Sequence, residues 1–191
     1  MDWKRLSRYC GYLIVGIILF LIVFNKSNYY TPDVIAYDYA SKNGLYNATI
    51  IYVDFGKGSG INRLYIYDIP NRKILYKCKV LNGKGGNNKF SNKVGSNCSS
   101  LGLYKLLEES RMSNGYKCIR LKGLSSTNSN ALKRGIVIHP SILASCIPFQ
   151  FPGNFPLTNA SEGCFSVSFK DFSQIIEITR SKKEVYLYAF H

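Results

Sequence analysis

Residues 49–81, TIIYVDFGKGSGINRLYIYDIPNRKILYKCKVL, contain three short runs in which β-branched and aromatic side chains recur with period two. The runs are 49–55 (TIIYVDF), 63–69 (RLYIYDI) and 74–81 (ILYKCKVL). Alternation of this kind, in segments this short, is the pattern of strands rather than helices. Pro70-Asn71-Arg72-Lys73 makes a short connection between the second and third. Downstream, the spacing predicts further strands at 115–122, 135–139, 165–169, 175–179 and 185–190. Short strands at regular intervals indicate a mainly β domain, a sandwich or a partly closed barrel. Between the two halves lies 82–99 (NGKGGNNKFSNKVGSNCS), which reads as a long mobile loop of a length often used for function.

Upstream of the β pattern the chain changes character twice. Thr31-Pro32-Asp33 fits a helix start: a capping hydroxyl, a proline at the first helical position and an acid at the positive end of the dipole. Gly44 is its natural stop. Before it, residues 9–24 (YCGYLIVGIILFLIVF) carry no charge, and Lys4, Arg5 and Arg8 precede them. The run is slightly short for a bilayer, but flanking residues and lipid adaptation make a spanning helix reasonable. The basic flank predicts a cytoplasmic N-terminus and an exported remainder. Residues 25–30 (NKSNYY) lack the small residues of a signal cleavage site, so the anchor is expected to stay uncleaved. The resulting division is a cytoplasmic tip and anchor at 1–27, a helical spacer at 28–47 and a folded domain at 48–191.

Composition sets limits on what this domain does. Residues are 46% hydrophobic and 14% aromatic, enough to build one core, so extended disorder is not expected. The net charge of +14 favours anionic partners, or it is simply a solvated basic face, because the Lys and Arg residues are scattered rather than blocked. No helix-turn-helix, zinc-finger or RNA-binding signature accompanies it, so a nucleic acid is not the expected partner. Five cysteines follow the anchor: Cys78, Cys98, Cys118, Cys146 and Cys164. In an exported domain an odd number suggests one free thiol, with the others disulfide-bonded or buried as small apolar side chains.

Two places combine a strand, a turn and a reactive residue. Residues 134–140 (RGIVIHP) end an apolar strand on His139, and residues 161–168 (SEGCFSVS) deliver Cys164 from a turn to the start of a strand. A nucleophilic cysteine needs a base or a positive neighbour, because its free thiol titrates near ~8.5. His139 is the credible partner, since His191 is the terminal residue and expected to fray. Gly163 permits close backbone approach, and amides at Gly163 and Cys164 could stabilise an oxyanion. The plainer alternatives are an inert buried thiol and a strand-end histidine bonded to backbone. A zinc site from His139, Cys146 and Cys164 is conceivable but lacks a closely spaced ligand pair.

Several stretches in order carry a resemblance: VDFGKGSGINRLYIYDI, GKGGNNKFSNKVGS, SSLGLY, YKCIRLKGL, NALKRGIVIHP and SEGCFSVS. Together they resemble the L,D-transpeptidase catalytic domain, which sets an upstream His against an S-x-G-C turn. They are more closely similar to its murein L,D-transpeptidase catalytic domain branch, over about 49–168. The resemblance implies a β-sandwich or bent sheet with short helices. It makes Cys164 the acyl-accepting nucleophile and His139 the base, and uses the main-chain carbonyl of Ser161 to orient the imidazole. The Gly163-Cys164 turn becomes the oxyanion site. Ser100 and Tyr104 fall in a turn leading into a strand near the cleft, and Arg120 and Arg134 are candidates to meet a substrate carboxylate. The plainer reading of both arginines is a solvated strand face.

By the same resemblance, the thiolate attacks the third residue of a peptidoglycan tetrapeptide stem, D-Ala leaves, and a neighbouring stem resolves the thioester as a 3→3 cross-link. Water in its place would make the enzyme an L,D-carboxypeptidase. No cofactor or metal is implied, and the expected location is the outer side of a bacterial cytoplasmic membrane. Pro140 stands where the family usually has Gly, Glu162 where many members have His or an aromatic residue, and Ser166 where many have Asn or Arg. These departures leave a non-catalytic, membrane-tethered wall-binding module as the rival from another class.

Overall fold

The computed structural model describes Tyr12 and residues 32–85, 89–146 and 159–191. No described helix is long and apolar enough to cross a membrane. The span expected at 9–24 lies outside the described residues, apart from Tyr12.

The first described element is helix α1 (Pro32–Lys42), which runs from the expected proline and stops before Gly44 at φ +70°. Ala36 and Ala40, four apart and therefore on one face, are buried against the sheet. Ten strands follow in the chain: β1 (Thr49–Asp54), β2 (Leu64–Asp68), β3 (Lys73–Cys78), β4 (Asn82–Gly83), β5 (Gly102–Arg111), β6 (Lys117–Gly123), β7 (Val137–Pro140), β8 (Asn159–Ser161), β9 (Phe165–Val167) and β10 (Val185–Phe190). A one-turn helix α2 (Ile142–Ser145) follows β7, and α3 (Phe169–Arg180) separates β9 from β10.

Eight strands form one mixed sheet in the order β3-β2-β1-β10-β5-β6-β7-β9, and β4 pairs with β8 beside it. The β1–β10 and β7–β9 pairs are parallel and the other pairs of the large sheet antiparallel. The sheet curls until its ends meet: Leu81, just beyond β3, accepts the Ser166 N–H at 3.3 Å and donates to the Ser166 carbonyl at 2.8 Å. The sheet therefore closes on itself as a partly closed barrel rather than as two packed sheets, and it includes β5, which the sequence reading did not place.

Alternation along each strand explains where the core lies. Ile51, Val53, Leu64, Ile66, Ile119, Leu121, Ile138, Phe165, Val167 and Leu187 point to the inside, where Phe172, Ile175 and Ile176 of α3 join them. On the other face of β1, β2 and β10, the residues Ile50, Tyr52, Tyr65 and Tyr67 pack under α1. Being buried on both faces is why TIIYV reads as a continuous apolar run.

The sequence places a strand at 175–179, and the structure places a helix there. Ser168 caps α3, its Oγ accepting the Asp171 N–H at 3.1 Å, and Phe172, Ile175 and Ile176 form the i, i+3, i+4 stripe of a buried helix face. The three isoleucines at 175, 176 and 178 imitate a strand locally, but burial against the sheet overrides that weak preference. The cap also ends β9 at Val167, short of the expected 169. The segment 82–99 is not a free loop among its described residues. It opens with β4, Gly85 N–H donates to Asn97 O at 2.9 Å, and Ser91 N–H donates to Ser99 O at 3.0 Å.

Candidate active site

Parallel pairing of β7 with β9 assembles the site. Its register matches Ile138 with Phe165 and His139 with Ser166, so Ile138 and Phe165 point into the core while His139 and Ser166 share the opposite face. Cys164 stands just before β9, two residues ahead of Ser166. The topology thus sets side by side the two segments that carry His139 and Cys164, 25 residues apart in the chain.

The imidazole of His139 is held at both nitrogens. Nδ1 lies 2.8 Å from the carbonyl of Pro140 and Nε2 lies 2.8 Å from Ser166 Oγ. A carbonyl only accepts, so Nδ1 carries the proton and Nε2 accepts from the serine hydroxyl. Burial holds the ring below the usual histidine range, partly offset by the hydrogen bond to Pro140, so it rests neutral.

Cys164 is partly buried, and its Sγ donates to the carbonyl of Gly135 at 3.7 Å. Burial pushes its thiol up from the ordinary value. A hydrogen bond from the Val137 amide and the charge of Arg134 oppose this rise, while Cys118 and Glu162 add to it. The resting pair is therefore a neutral thiol and a neutral imidazole, and not a preformed thiolate–imidazolium pair.

The turn that presents Cys164 is closed by Ser161. Its Oγ donates to the Cys164 carbonyl at 2.8 Å and accepts the Gly163 N–H at 3.3 Å. The Ser161 carbonyl, expected to orient the imidazole, accepts the Lys84 N–H at 2.7 Å, while the imidazole bonds Pro140 and Ser166. Glu162 is exposed and pairs with Lys84 at 3.0 Å. Such a surface pair adds little stability.

Arg134 has a different surrounding from either one expected of it. Its guanidinium donates to Ser91 O at 2.7 Å, to Ser100 Oγ at 3.2 Å and to Cys98 O. The planar fork therefore ties the 91–100 segment to the nucleophile turn, packing directly under Gly163. Ser100 and Tyr104 are buried, with Tyr104 Oη 2.7 Å from both the hydroxyl and the carbonyl of Ser100. Tyr104 lies edge-on to Phe165, at a centroid distance of 5.6 Å, directly beneath the turn. Burial pushes its hydroxyl up to about 12. Arg120 is exposed on β6 and paired with Glu108 at 2.9 Å.

Among the described residues no group of three His, Cys, Asp or Glu side chains is arranged to hold a metal. All five described cysteines are free thiols, with Cys78, Cys98 and Cys118 buried and Cys146 exposed. His191 lies away from the site, its ring 5.3 Å from that of Phe90. Sequence reading noticed Ser166 only as an unusual residue. Spacing in a strand gives the face of a residue two beyond Cys164 but not its partner, which the pairing with β7 supplies.

Comparison with known proteins gives this arrangement a context. A family model described as the L,D-transpeptidase catalytic domain matches residues 25–188. Among solved structures, the helical cell shape determining protein Pgp2 from Campylobacter jejuni is similar at 14% identity and a TM-score of 0.49, over 73% of this chain and 46% of that one. Bd1075 from Bdellovibrio bacteriovorus is similar at 18% identity and a TM-score of 0.45, over 74% and 47%. An L,D-transpeptidase from Xylanimonas cellulosilytica is similar at 10% identity and a TM-score of 0.44, over 75% and 61%. The chain spans about half the length of the first two. No curated protein matches it.

Proposed function

The chain belongs to the L,D-transpeptidase catalytic domain family, and from that membership we propose that it is a cysteine acyltransferase acting on peptidoglycan stem peptides. Cys164 attacks the carbonyl of the third residue of a tetrapeptide stem, forming a thioester and expelling D-Ala. His139 takes the thiol proton and returns it to the leaving amine. A neighbouring stem amine then resolves the acyl-enzyme as a 3→3 cross-link. The observation that supports the reading is the parallel β7–β9 pair, whose register sets His139 beside Ser166, two residues beyond Cys164 at the entry to β9. The amide of Gly163 is engaged by Ser161, so the Cys164 amide is the oxyanion donor in this proposal.

A neutral resting pair suits this chemistry, because the thiol becomes nucleophilic only as its proton moves and water meets no standing thiolate. The reading extends to location: residues 9–24 form an uncleaved anchor and the domain works outside the membrane, where the basic balance of the chain, +14 in all, favours an anionic wall. Proteolysis of intact spheroplasts should then remove the domain.

The deciding experiment incubates the purified full chain with tetrapeptide muropeptides and reads products by mass spectrometry beside Cys164→Ala. Loss of D-Ala that requires Cys164 is the expected result. A dimeric product identifies cross-linking, and a tripeptide identifies L,D-carboxypeptidase action. No turnover by folded protein would leave the wall-binding module as the better reading.

A further inference from the structure

Two details of the site do not follow from a simple cysteine–histidine dyad. The nitrogen of His139 that is free of a proton is already occupied, by Ser166 Oγ at 2.8 Å. The other nitrogen holds its proton on Pro140 O at 2.8 Å. The ring therefore presents no open nitrogen to Cys164, whose Sγ is directed to Gly135 O. A proton accepted by this imidazole must arrive at Nε2, where a hydroxyl stands in the way.

That hydroxyl is not one that moves aside. Ser166 is fully buried, at 0% exposure, and lies in register with His139. Its backbone is clamped on its other side by the two hydrogen bonds to Leu81 that close the sheet. Cys164 stands two residues before it, at the mouth of β9, with its Cα about 7 Å away for extended chain. Alternation sends the two side chains to the same side, and a change of χ1 carries the thiol from Gly135 towards the serine.

From this arrangement we infer that Ser166 is a proton-relay residue linking Cys164 to His139, an inference that rests on reading Cys164 as the nucleophile. As the thiol attacks, its S–H bond breaks and the proton forms a new O–H bond at Ser166. The original Ser166 O–H bond breaks in the same movement, and that proton bonds to Nε2. The products are a neutral serine, an imidazolium and the new sulfur–carbon bond, the π pair of the substrate carbonyl passing to its oxygen as the oxyanion, with the Nδ1 proton undisturbed on Pro140. On collapse of the intermediate the same path runs backwards, and the leaving amine receives the proton by way of Nε2 or the serine. Arg134 acts on the thiol in favour of its anion, with Cys118, Glu162 and Tyr104 acting against it. None of these groups is hydrogen-bonded to the imidazole as Ser166 is.

The test needs no peptidoglycan, so it separates the relay from the choice of substrate. Alkylation of Cys164 by iodoacetamide is followed at pH 7 in the full chain and in Ser166→Ala, Ser166→Thr, His139→Ala and the Ser166→Ala/His139→Ala double variant. The relay predicts a loss of about tenfold or more in Ser166→Ala, recovery in Ser166→Thr, and a double variant no slower than His139→Ala. A structural role for Ser166 would not produce that non-additivity. Nitrogen NMR of labelled histidine in the unaltered protein should report Nδ1–H and a hydrogen-bonded, proton-free Nε2. An Nε2–H tautomer, or alkylation of Ser166→Ala within twofold of the unaltered protein, would overturn the inference. If the alkylation pattern holds while muropeptides are not turned over, the proposed substrate is wrong and the relay stands.

Discussion

Gly163 has φ +111°, and a Cβ built there would lie 2.6 Å from both the Arg134 guanidinium and the Cys98 carbonyl. Conformation and space both demand glycine at this point, immediately before the nucleophile. Gly163→Ala should therefore cost about 1–3 kcal/mol in a denaturant titration, and lower Cys164-dependent turnover by more than tenfold because the turn itself shifts. Equal stability and turnover in the variant would show that the turn is more pliant than its contacts suggest. The titrating groups give a second prediction at this scale. The histidine is held below its usual value of 6.5 and the thiol above its usual value of 9.0. With neutral imidazole as the proposed base, the acid limb of kcat/KM should fall below pH 6.5, with an apparent pKa that belongs to the pair. An acid limb at pH 7 or above would mean that the active form is instead a thiolate.

Helix α3 is the element on which sequence and structure disagree most, and it is the one whose packing is easiest to test. Phe172 is buried at 5% exposure beneath the sheet, so Phe172→Ala should cost about 3–5 kcal/mol. Ser168→Ala removes the cap and should cost about 0.5–2 kcal/mol. If 168–180 were the strand read at 175–179, the cap substitution would be silent in a thermal melt. Strands β1, β2, β3, β7 and β10 were legible because they carry short runs of β-branched, aromatic and other apolar residues in the chain itself, alternating in β10 and continuous in β1. Cys164 and His139 were legible because a glycine turn and a strand end mark them locally. Arg134 and Ser166 were not, since their partners (Ser91, Cys98 and Ser100 for one, His139 for the other) are supplied by long-range pairing. A period count contains no information about which strand will lie alongside.

At the scale of the molecule, the curled sheet is held by contacts that span the chain, and Asp68 makes one of them through its side chain. It is buried on β2, yet its carboxylate accepts from Lys182 Nζ at 2.7 Å across 114 residues, tying β2 to the connection between α3 and β10. Burial alone would push this carboxyl up, but hydrogen bonds from Lys182 and Asn71 outweigh it and hold the group below its usual value of 3.8. A carboxyl depressed in the folded state binds fewer protons than in the unfolded chain. Its contribution is therefore complete above the unfolded value of about 3.9 and is lost as pH falls through the folded one. Asp68→Asn should be less stable than the unaltered protein at pH 7, by about 1–3 kcal/mol for a hydrogen bond to a charged partner. The two proteins should converge once the native carboxyl is protonated. Urea midpoints taken from pH 7 down to about pH 2.5 would show this, the gap between the proteins closing below pH ~4. A gap that stayed constant across that range would mean that the charge on Asp68 contributes nothing, and that its hydrogen bonds serve as well when neutral.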